Sequence, residues 1–264
     1  MRILYFGDII GKIGRRGLLK ALPDLKADYQ PDLILANGEN IAHGIGATEK
    51  TIAELKDAGV DLFTSGNHIF AKPDAEILLT AENPIIIRPA NYPPMVAGPE
   101  YRIMEVGSRQ ILIVNLLGRV FMKGDFDCPF RKIDEILSKI GKKKISGIIV
   151  DFHAEASSEK TAFGWYVDGR VTAVVGTHTH VPTADAKILP NGTAFVSDLG
   201  MVGATDSVIG DTKEPIIQAF LNQKNAPIDV PEEGEVEIDG VLIEFDPQTA
   251  KATKIIRVDR KVIV

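Results

Sequence analysis

Five short apolar runs in this sequence end in side chains that can bind a cation or move a proton. Asp8 closes Tyr5-Phe6-Gly7-Asp8, and Glu39 and Asn40 close Leu35-Ala36-Asn37-Gly38-Glu39-Asn40. Asn67 and His68 close Phe63-Thr64-Ser65-Gly66-Asn67-His68, and His153 closes Ile148-Ile149-Val150-Asp151-Phe152-His153. The fifth run, Val174-Val175-Gly176-Thr177-His178-Thr179-His180, carries two imidazoles. Carboxylate, amide and imidazole together form the ligand set of a first-row metal site. In an α/β sheet the C-terminal ends of strands share one edge, and ligands bind there. The pattern therefore predicts one site assembled from distant segments.

Each residue alone has a plainer reading. Asp8 is suited to capping the helix or turn that follows it. Glu39-Asn40 and Asn67-His68 are ordinary loop chemistry. His178 and His180 are harder to dismiss. If Thr177 to His180 is extended, the i, i+2 spacing puts both imidazoles on one side, with Thr177 and Thr179 opposite. Such a pair can serve one metal or two neighbours. His43, in the loop Ala42-His43-Gly44-Ile45-Gly46, reads equally as a residue near the substrate and as an exposed loop histidine. Gly44-Ile45-Gly46 and Gly11-Lys12-Ile13-Gly14 lack the Gly-Lys-Ser/Thr ending of a phosphate loop, and the second is no dinucleotide fingerprint. Asp185, Asp198 and Asp206 read as unpaired structural acids. Ser65 and Ser157 have no legible base and orienter, so a hydrolase triad is unsupported. The single cysteine, Cys128, excludes an intrachain disulfide and a thiolate cluster; with no activating neighbour in view it reads as inert.

The elements that must position these residues alternate through the first third of the chain. Ile3–Phe6, Leu33–Ala36 and Leu62–Thr64 read as strands. Arg15–Tyr29 reads as an amphipathic helix on Leu18, Leu19, Leu22 and Leu25. Thr48 is a candidate N-cap for a helix through Ala58, closed by Gly59, and Pro73 is placed to start the next one. This alternation predicts βαβ units and a largely parallel sheet. Further on, Arg102–Val106 and Ile111–Asn115 flank a hairpin at Gly107-Ser108-Arg109, and Arg131–Ile140 reads as helix. Ile148–Phe152 and Val171–Val175 are strand-like. Ala186–Leu189 and Thr193–Val196 flank the turn Pro190-Asn191-Gly192, and Val236–Phe245 and Lys254–Val258 flank Asp246-Pro247. The expected fold class is mixed α/β (α+β): two mixed β-sheets packed as a sandwich, with helices outside. No repeat or linker divides residues 1–264, which read as one domain, and Lys142-Lys143-Lys144 reads as a solvated surface turn.

At 264 residues and 45% hydrophobic content the chain can bury a sizeable core. A net charge of −6 argues against long DNA or RNA as partner, although a bound metal can reverse the local field for a small anion. No apolar stretch reaches the ~18 residues of a membrane span, and the N-terminus lacks a signal-peptide pattern. The cytoplasm is the expected compartment. An even-numbered homo-oligomer is the default expectation from symmetry.

Taken in order, Gly7-Asp8, Gly38-Glu39-Asn40, Gly66-Asn67-His68, Phe152-His153 and Gly176-Thr177-His178-Thr179-His180 resemble the calcineurin-like metallophosphoesterase superfamily. Two departures stand out. Most members of that superfamily carry a histidine where this chain has Ile10, and most bridge their metals with an aspartate where this chain has Glu39. Both departures resemble its YmdB-like branch, in which Asn40 takes the place of the missing histidine. Ser197-Asp198-Leu199-Gly200-Met201-Val202-Gly203, leading to Ile209-Gly210, is similar to that branch too, so the likeness runs nearly end to end.

The resemblance implies a four-layer metallophosphoesterase fold and cyclic-nucleotide phosphodiesterase activity on 2′,3′-cyclic and some 3′,5′-cyclic substrates. It implies two metal ions. By position, Asp8, Glu39, Asn40 and His180 would hold the first, and Glu39, Asn67, His153 and His178 the second, with Glu39 bridging. Iron or manganese is favoured, with zinc as the other candidate. A hydroxide bridging the metals would attack phosphorus, and His68, which is given no ligand role, would protonate the leaving alkoxide. Two other readings compete: a metal-stabilised regulator that binds nucleotide or protein with little turnover, and a phosphomonoesterase or nuclease on the same fold.

Overall fold

The computed structural model describes residues 1–264 apart from Lys142, Ala226 and Ile228; the lysine-run reading thus falls partly outside the described residues. The first strand, β1 (Arg2–Ile9), shows how the architecture follows from period-two alternation. Ile3 and Tyr5 point into one apolar cluster, and Leu4 and Phe6 into another on the opposite face. A strand buried on both faces reads as a continuous apolar run, as this one does. Helix α1 (Gly11–Tyr29) and strand β2 (Leu33–Asn37) follow. Next comes α2 (Glu49–Ala58). Thr48 and Thr51 form a reciprocal capping box at its start, and Gly59, at φ 101°, closes it as expected. β3 (Leu62–Thr64), a 3₁₀ turn (Ile69–Ala71) and α3 (Ala75–Thr80) complete the first half. Pro73 lies ahead of α3 rather than in its first turn.

The second half holds β4 (Tyr101–Val106), β5 (Arg109–Leu117), α4 (Pro129–Ile140), β6 (Gly147–His153), α5 (Ser157–Tyr166) and β7 (Ala173–Thr177). Then come β8 (Lys187–Ile188), β9 (Ala194–Val196), β10 (Met201–Ala204), α6 (Lys213–Asn222), β11 (Glu235–Phe245) and β12 (Ala252–Ile263). The strands form two mixed six-stranded sheets, β12-β11-β10-β1-β2-β3 and β4-β5-β6-β7-β9-β8. Leu35, Ile113, Ile149, Val175 and Val241 fill the space between the sheets. Leu18, Leu22, Ile52 and Leu55 cover the outer face of the first sheet, and Ile133, Ile136 and Phe163 that of the second. The result is the four-layer helix–sheet–sheet–helix order expected.

Three elements were not legible: α5, β10 and α6. Helix α1 also begins four residues earlier than its leucines indicate, because Gly11 and Gly14 depress helix propensity there. Gly14 has a tertiary reason. A Cβ at that position would lie 2.2 Å from the Val202 carbonyl oxygen on β10, so only glycine lets helix and strand pack this closely. Along β1 the neighbour changes: Arg2–Phe6 pair with β11, whereas Asp8 and Ile9 pair with β10. Asp8 is thereby flanked by Met201 of β10 and Asn37 of β2 at the C-terminal end of the strand. No helix among the described residues is long and apolar enough to cross a membrane.

Cys128 does have neighbours the sequence hid. It precedes α4, and its Sγ lies 3.5 Å from Nη2 of Arg119. Burial pushes the thiol up, but the N–H groups of Arg131 and Phe130 and the Arg119 charge outweigh it and hold the thiol below its usual range.

Candidate metal centre

Both sheets deliver their C-terminal strand ends to one edge. Asp8 lies near the end of β1, Glu39 and Asn40 follow β2, and Asn67 and His68 follow β3. From the second sheet come His153, the last residue of β6, and His178 and His180 beyond β7. Asp8, Glu39, Asn40 and His153 are buried, while the His68 side chain keeps 37% of its surface exposed. Above them opens a cleft of about 360 Å³ walled by His68, Glu155, His178, His180, Ile209 and Asp211.

Nε2 of His153 is the hub. Glu39 Oε1 lies 3.0 Å from it, His178 Nδ1 3.1 Å and Asn67 Oδ1 3.2 Å. Glu39, His153 and His178 each offer a ligand atom, all within 4.8 Å of one another. On the other side, His180 Nε2 is 3.8 Å from Asp8 Oδ1 and 3.2 Å from Asn40 Nδ2.

Outer polar partners set which nitrogen of each neutral imidazole points inward. His180 Nδ1 lies 2.7 Å from the Ile209 carbonyl, which can only accept, so Nδ1 carries the hydrogen and Nε2 the lone pair. His178 Nε2 lies 3.1 Å from the Glu155 carboxylate, so its Nδ1 lone pair faces His153. Thr177 gives its hydroxyl proton to Asp151 Oδ1 at 2.6 Å and therefore accepts from His153 Nδ1 at 2.8 Å. That leaves His153 Nε2 as a lone pair among acceptors. Partners of this kind orient metal-bound histidines and raise their basicity. Asp8 Oδ1 adds a buried oxygen with no hydrogen-bond partner. Gly66 leaves the room: a Cβ there would lie 2.1 Å from Glu39 Oε2 and 2.3 Å from His153 Nε2. A cluster of inward lone pairs and carboxylate oxygens fits a transition-metal cation, which satisfies them all.

Charge in the site is strongly coupled. Burial raises Glu39, but the adjoining His153 more than offsets it and holds the carboxyl at about 2. Burial lowers His153, yet Glu39 beside it carries the imidazole up to about 9. A cation at His153 Nε2 therefore competes with a proton for the same lone pair. Asp8 is pushed up to about 6, chiefly by burial. His178 is driven down to about 3 by burial and by His153.

Several sequence readings change here. The histidine pair does not lie on an extended strand: β7 stops at Thr177, and His178 and His180 have φ of 96° and 62°. Their side chains converge because Asp198 clamps the loop. Its Oδ2 accepts from the Thr179 backbone N–H and hydroxyl, and from Lys160 Nζ at 2.7 Å. Asp198 is therefore paired and buried, and Asp185 and Asp206 also have partners, in Ser197 and Lys213. Asp8 does not cap α1. The residue before that helix is Ile10, without a side-chain cap, and Asp8 Oδ2 accepts from His178 N–H at 3.1 Å. As placed, Asn40 turns its amide nitrogen toward His180 and its oxygen toward His68 Nδ1, at 3.0 Å. Ligation through the Asn40 oxygen would require the amide to turn over. His43 is exposed and lines a different cleft, with Lys12 and Glu232.

The supporting residues were missed. Asp151 accepts from Thr64, Tyr5, Asn37 and Thr177 beneath His153, and Glu155 lies on His178. Asp151 had a visible signal, being a carboxylate inside an apolar run two residues before His153; Glu155 and Lys160 had none.

The family model described as YmdB-like protein matches residues 4–258. A 2′,3′-cyclic-nucleotide 2′-phosphodiesterase of Bacillus subtilis is 43% identical over 259 residues, covering 98% of this chain and 96% of that protein. A crystal structure of a hypothetical protein from Thermus thermophilus superposes with a TM-score of 0.91 at 38% identity, covering 99% of each chain. The NAD nucleotidase of Haemophilus influenzae shares the fold alone, with a TM-score of 0.60 at 16% identity over 100% of this chain and 54% of that one. With the family model spanning nearly the whole chain, this chain belongs to the YmdB-like family.

Proposed function

We propose that this protein is a metal-dependent phosphodiesterase that opens nucleoside 2′,3′-cyclic phosphates. The observation that carries the reading is the convergence of three imidazoles, each fixed by an outer partner with its lone pair turned toward Glu39, Asn67, Asp8 or Asn40. The B. subtilis relative, named for this reaction, supports the substrate class. Asp8, Glu39, Asn40 and His180 would hold one metal ion, and Glu39, Asn67, His153 and His178 a second, with iron or manganese favoured over zinc. When bound, such ions make water acidic and draw charge from phosphate oxygens.

The chain's own residues supply the rest. Cleavage on the 2′ side leaves a ribose oxygen that needs a proton. His68 borders the cleft, and Glu39 Oε2 accepts its backbone N–H at 3.0 Å. That bond holds the residue over the cluster while leaving Nε2 free to donate from the imidazolium form, as a general acid must. Both sheets contribute to the cluster, so neither half can carry it alone, and we take residues 1–264 as one catalytic domain.

The test is hydrolysis of 2′,3′-cyclic AMP, with 3′,5′-cyclic AMP alongside, by metal-stripped protein refilled with manganese or ferrous iron. Metal-dependent turnover is expected. His68→Ala should lower it by about 10²–10⁴-fold with metal content unchanged. Equal loss of metal and activity would remove His68 from the chemistry. No turnover with any metal, despite bound ions, would favour a regulator.

A further inference from the structure

Helix α6 is unlike the other helices. None of its residues is buried, and it presents Ile217, Phe220 and Leu221 at 49%, 80% and 70% exposure. Between it and the preceding loop runs a groove of about 550 Å³, walled by Val208, Ile209, Ile216, Ala219 and Phe220, with Asp211, Gln223, Lys224 and Asn225 completing its lining. That volume lies in the range of small-ligand sites. Ile209 and Asp211 also wall the cleft over the metal cluster, so the groove and the reaction cleft share a partition.

The partition is fixed to the chemistry. Ile209 is β-branched, yet it has φ of 48°, a left-handed conformation that such residues rarely adopt. Its carbonyl accepts from His180 Nδ1 at 2.7 Å. Backbone strain kept beside a site is a pointer to function. Here it holds the apolar Ile209 side chain, 49% exposed, at a set place relative to His180.

We propose that the groove between Ile209 and α6 is the nucleobase subsite. The inference rests on the phosphodiesterase reading above. A nucleoside cyclic phosphate has one charged end, which suits the metal cleft, and one flat aromatic end carrying donors and acceptors at its edge. Phe220 and Ile209 offer apolar faces to the ring, and the Gln223 and Asn225 amides can both donate and accept at a base edge. A site of this make-up favours nucleoside substrates over simple cyclic phosphodiesters. Stacking on an aromatic side chain tolerates any base, so discrimination among bases falls to the two amides.

The experiment compares kcat/KM for adenosine 2′,3′-cyclic phosphate with that for methyl riboside 2′,3′-cyclic phosphate, which lacks a base. The full-length protein is assayed loaded with manganese. Phe220→Ala should lower the ratio of the two by about 10-fold, mainly through KM for the adenosine substrate. Phe220→Trp should keep it, and Leu221→Ser, on the same helix but outside the groove, serves as control. A ratio unchanged by Phe220→Ala overturns the subsite. So does a changed sedimentation mass in Phe220→Ala with unaltered KM, which would make the α6 face a seat for a second copy of the chain. NMR titration with adenosine separates the two readings, since it needs no turnover. Shifts at α6 that Phe220→Ala abolishes, in a protein that hydrolyses neither substrate, would keep the subsite and sink the reaction.

Discussion

Replacing Gly66 by alanine tests the centre of the site with one methyl group. The backbone accepts the change, since Gly66 is absent from the glycines with positive φ. The side chains do not. The new carbon would lie 2.1 Å from Glu39 Oε2 and 2.3 Å from His153 Nε2, where ordinary contact begins at 3.4 Å. Both groups must retreat by about 1 Å, whereas metal–ligand distances tolerate only about 0.2 Å. Misplacement of about 1 Å costs on the order of 10²-fold in rate, equivalent to about 2.7 kcal/mol at the transition state. Overpacking itself costs about 1–3 kcal/mol, which a folded domain can absorb in part. Elemental analysis after reconstitution with manganese should find metal depleted, and kcat/KM for 2′,3′-cyclic AMP should fall about 100-fold or more. The circular dichroism spectrum should stay native. Full metal content with turnover within threefold of the parent would show that Glu39 and His153 do not hold the ion that the chemistry needs.

Glu155 makes a second, milder test. Glu155→Ala removes the carboxylate on His178 Nε2 and should weaken manganese binding by about 10–100-fold in calorimetry, with Glu155→Gln restoring part of it; equal affinities would make the contact incidental. Asp239 gives a pH dependence away from the ligands. Burial and the neighbouring Glu237 carry its carboxyl up to about 7 from an unfolded value near 3.9. Between those values the folded state holds the extra proton, so the group's contribution to stability is present at pH 4 and is lost as pH rises to 7, on the order of a few kcal/mol. Asp239→Asn should therefore raise Tm at pH 8 and not at pH 4, and parallel Tm–pH curves for the two proteins would refute the assignment.

What was legible and what was not divides along sequence separation. Thr48 and Gly59 bound α2 through contacts a few residues long, and Gly107-Ser108 turns β4 onto β5 by local geometry. The apolar runs ending at Asp8, Glu39, Asn67 and His153 showed themselves because strand burial imprints on neighbouring residues. Helix α5 did not. Its buried Glu159 and Lys160 bond to Arg119 and Asp198, about 40 residues away in opposite directions, and they break the amphipathic pattern that would have marked it. β10 is four residues long, and pairs on both sides with strands distant in sequence. Helix α6 packs its apolar side against little, so no periodic burial announced it.

Residue order along the chain carries the inventory: which carboxylates, amides and imidazoles stand at strand ends, and that those ends share an edge. How those groups are turned toward one another comes from long-range packing. An imidazole has two nitrogens, and the one left with a lone pair depends on what the other bonds. For His180 that partner is a carbonyl 29 residues away, and for His153 it is a threonine on the neighbouring strand. For His178 it is Glu155 at the mouth of the cleft. The tautomers, the loop clamped by Asp198 and the room left by Gly66 are products of long-range packing, which side-chain order along the chain does not encode locally.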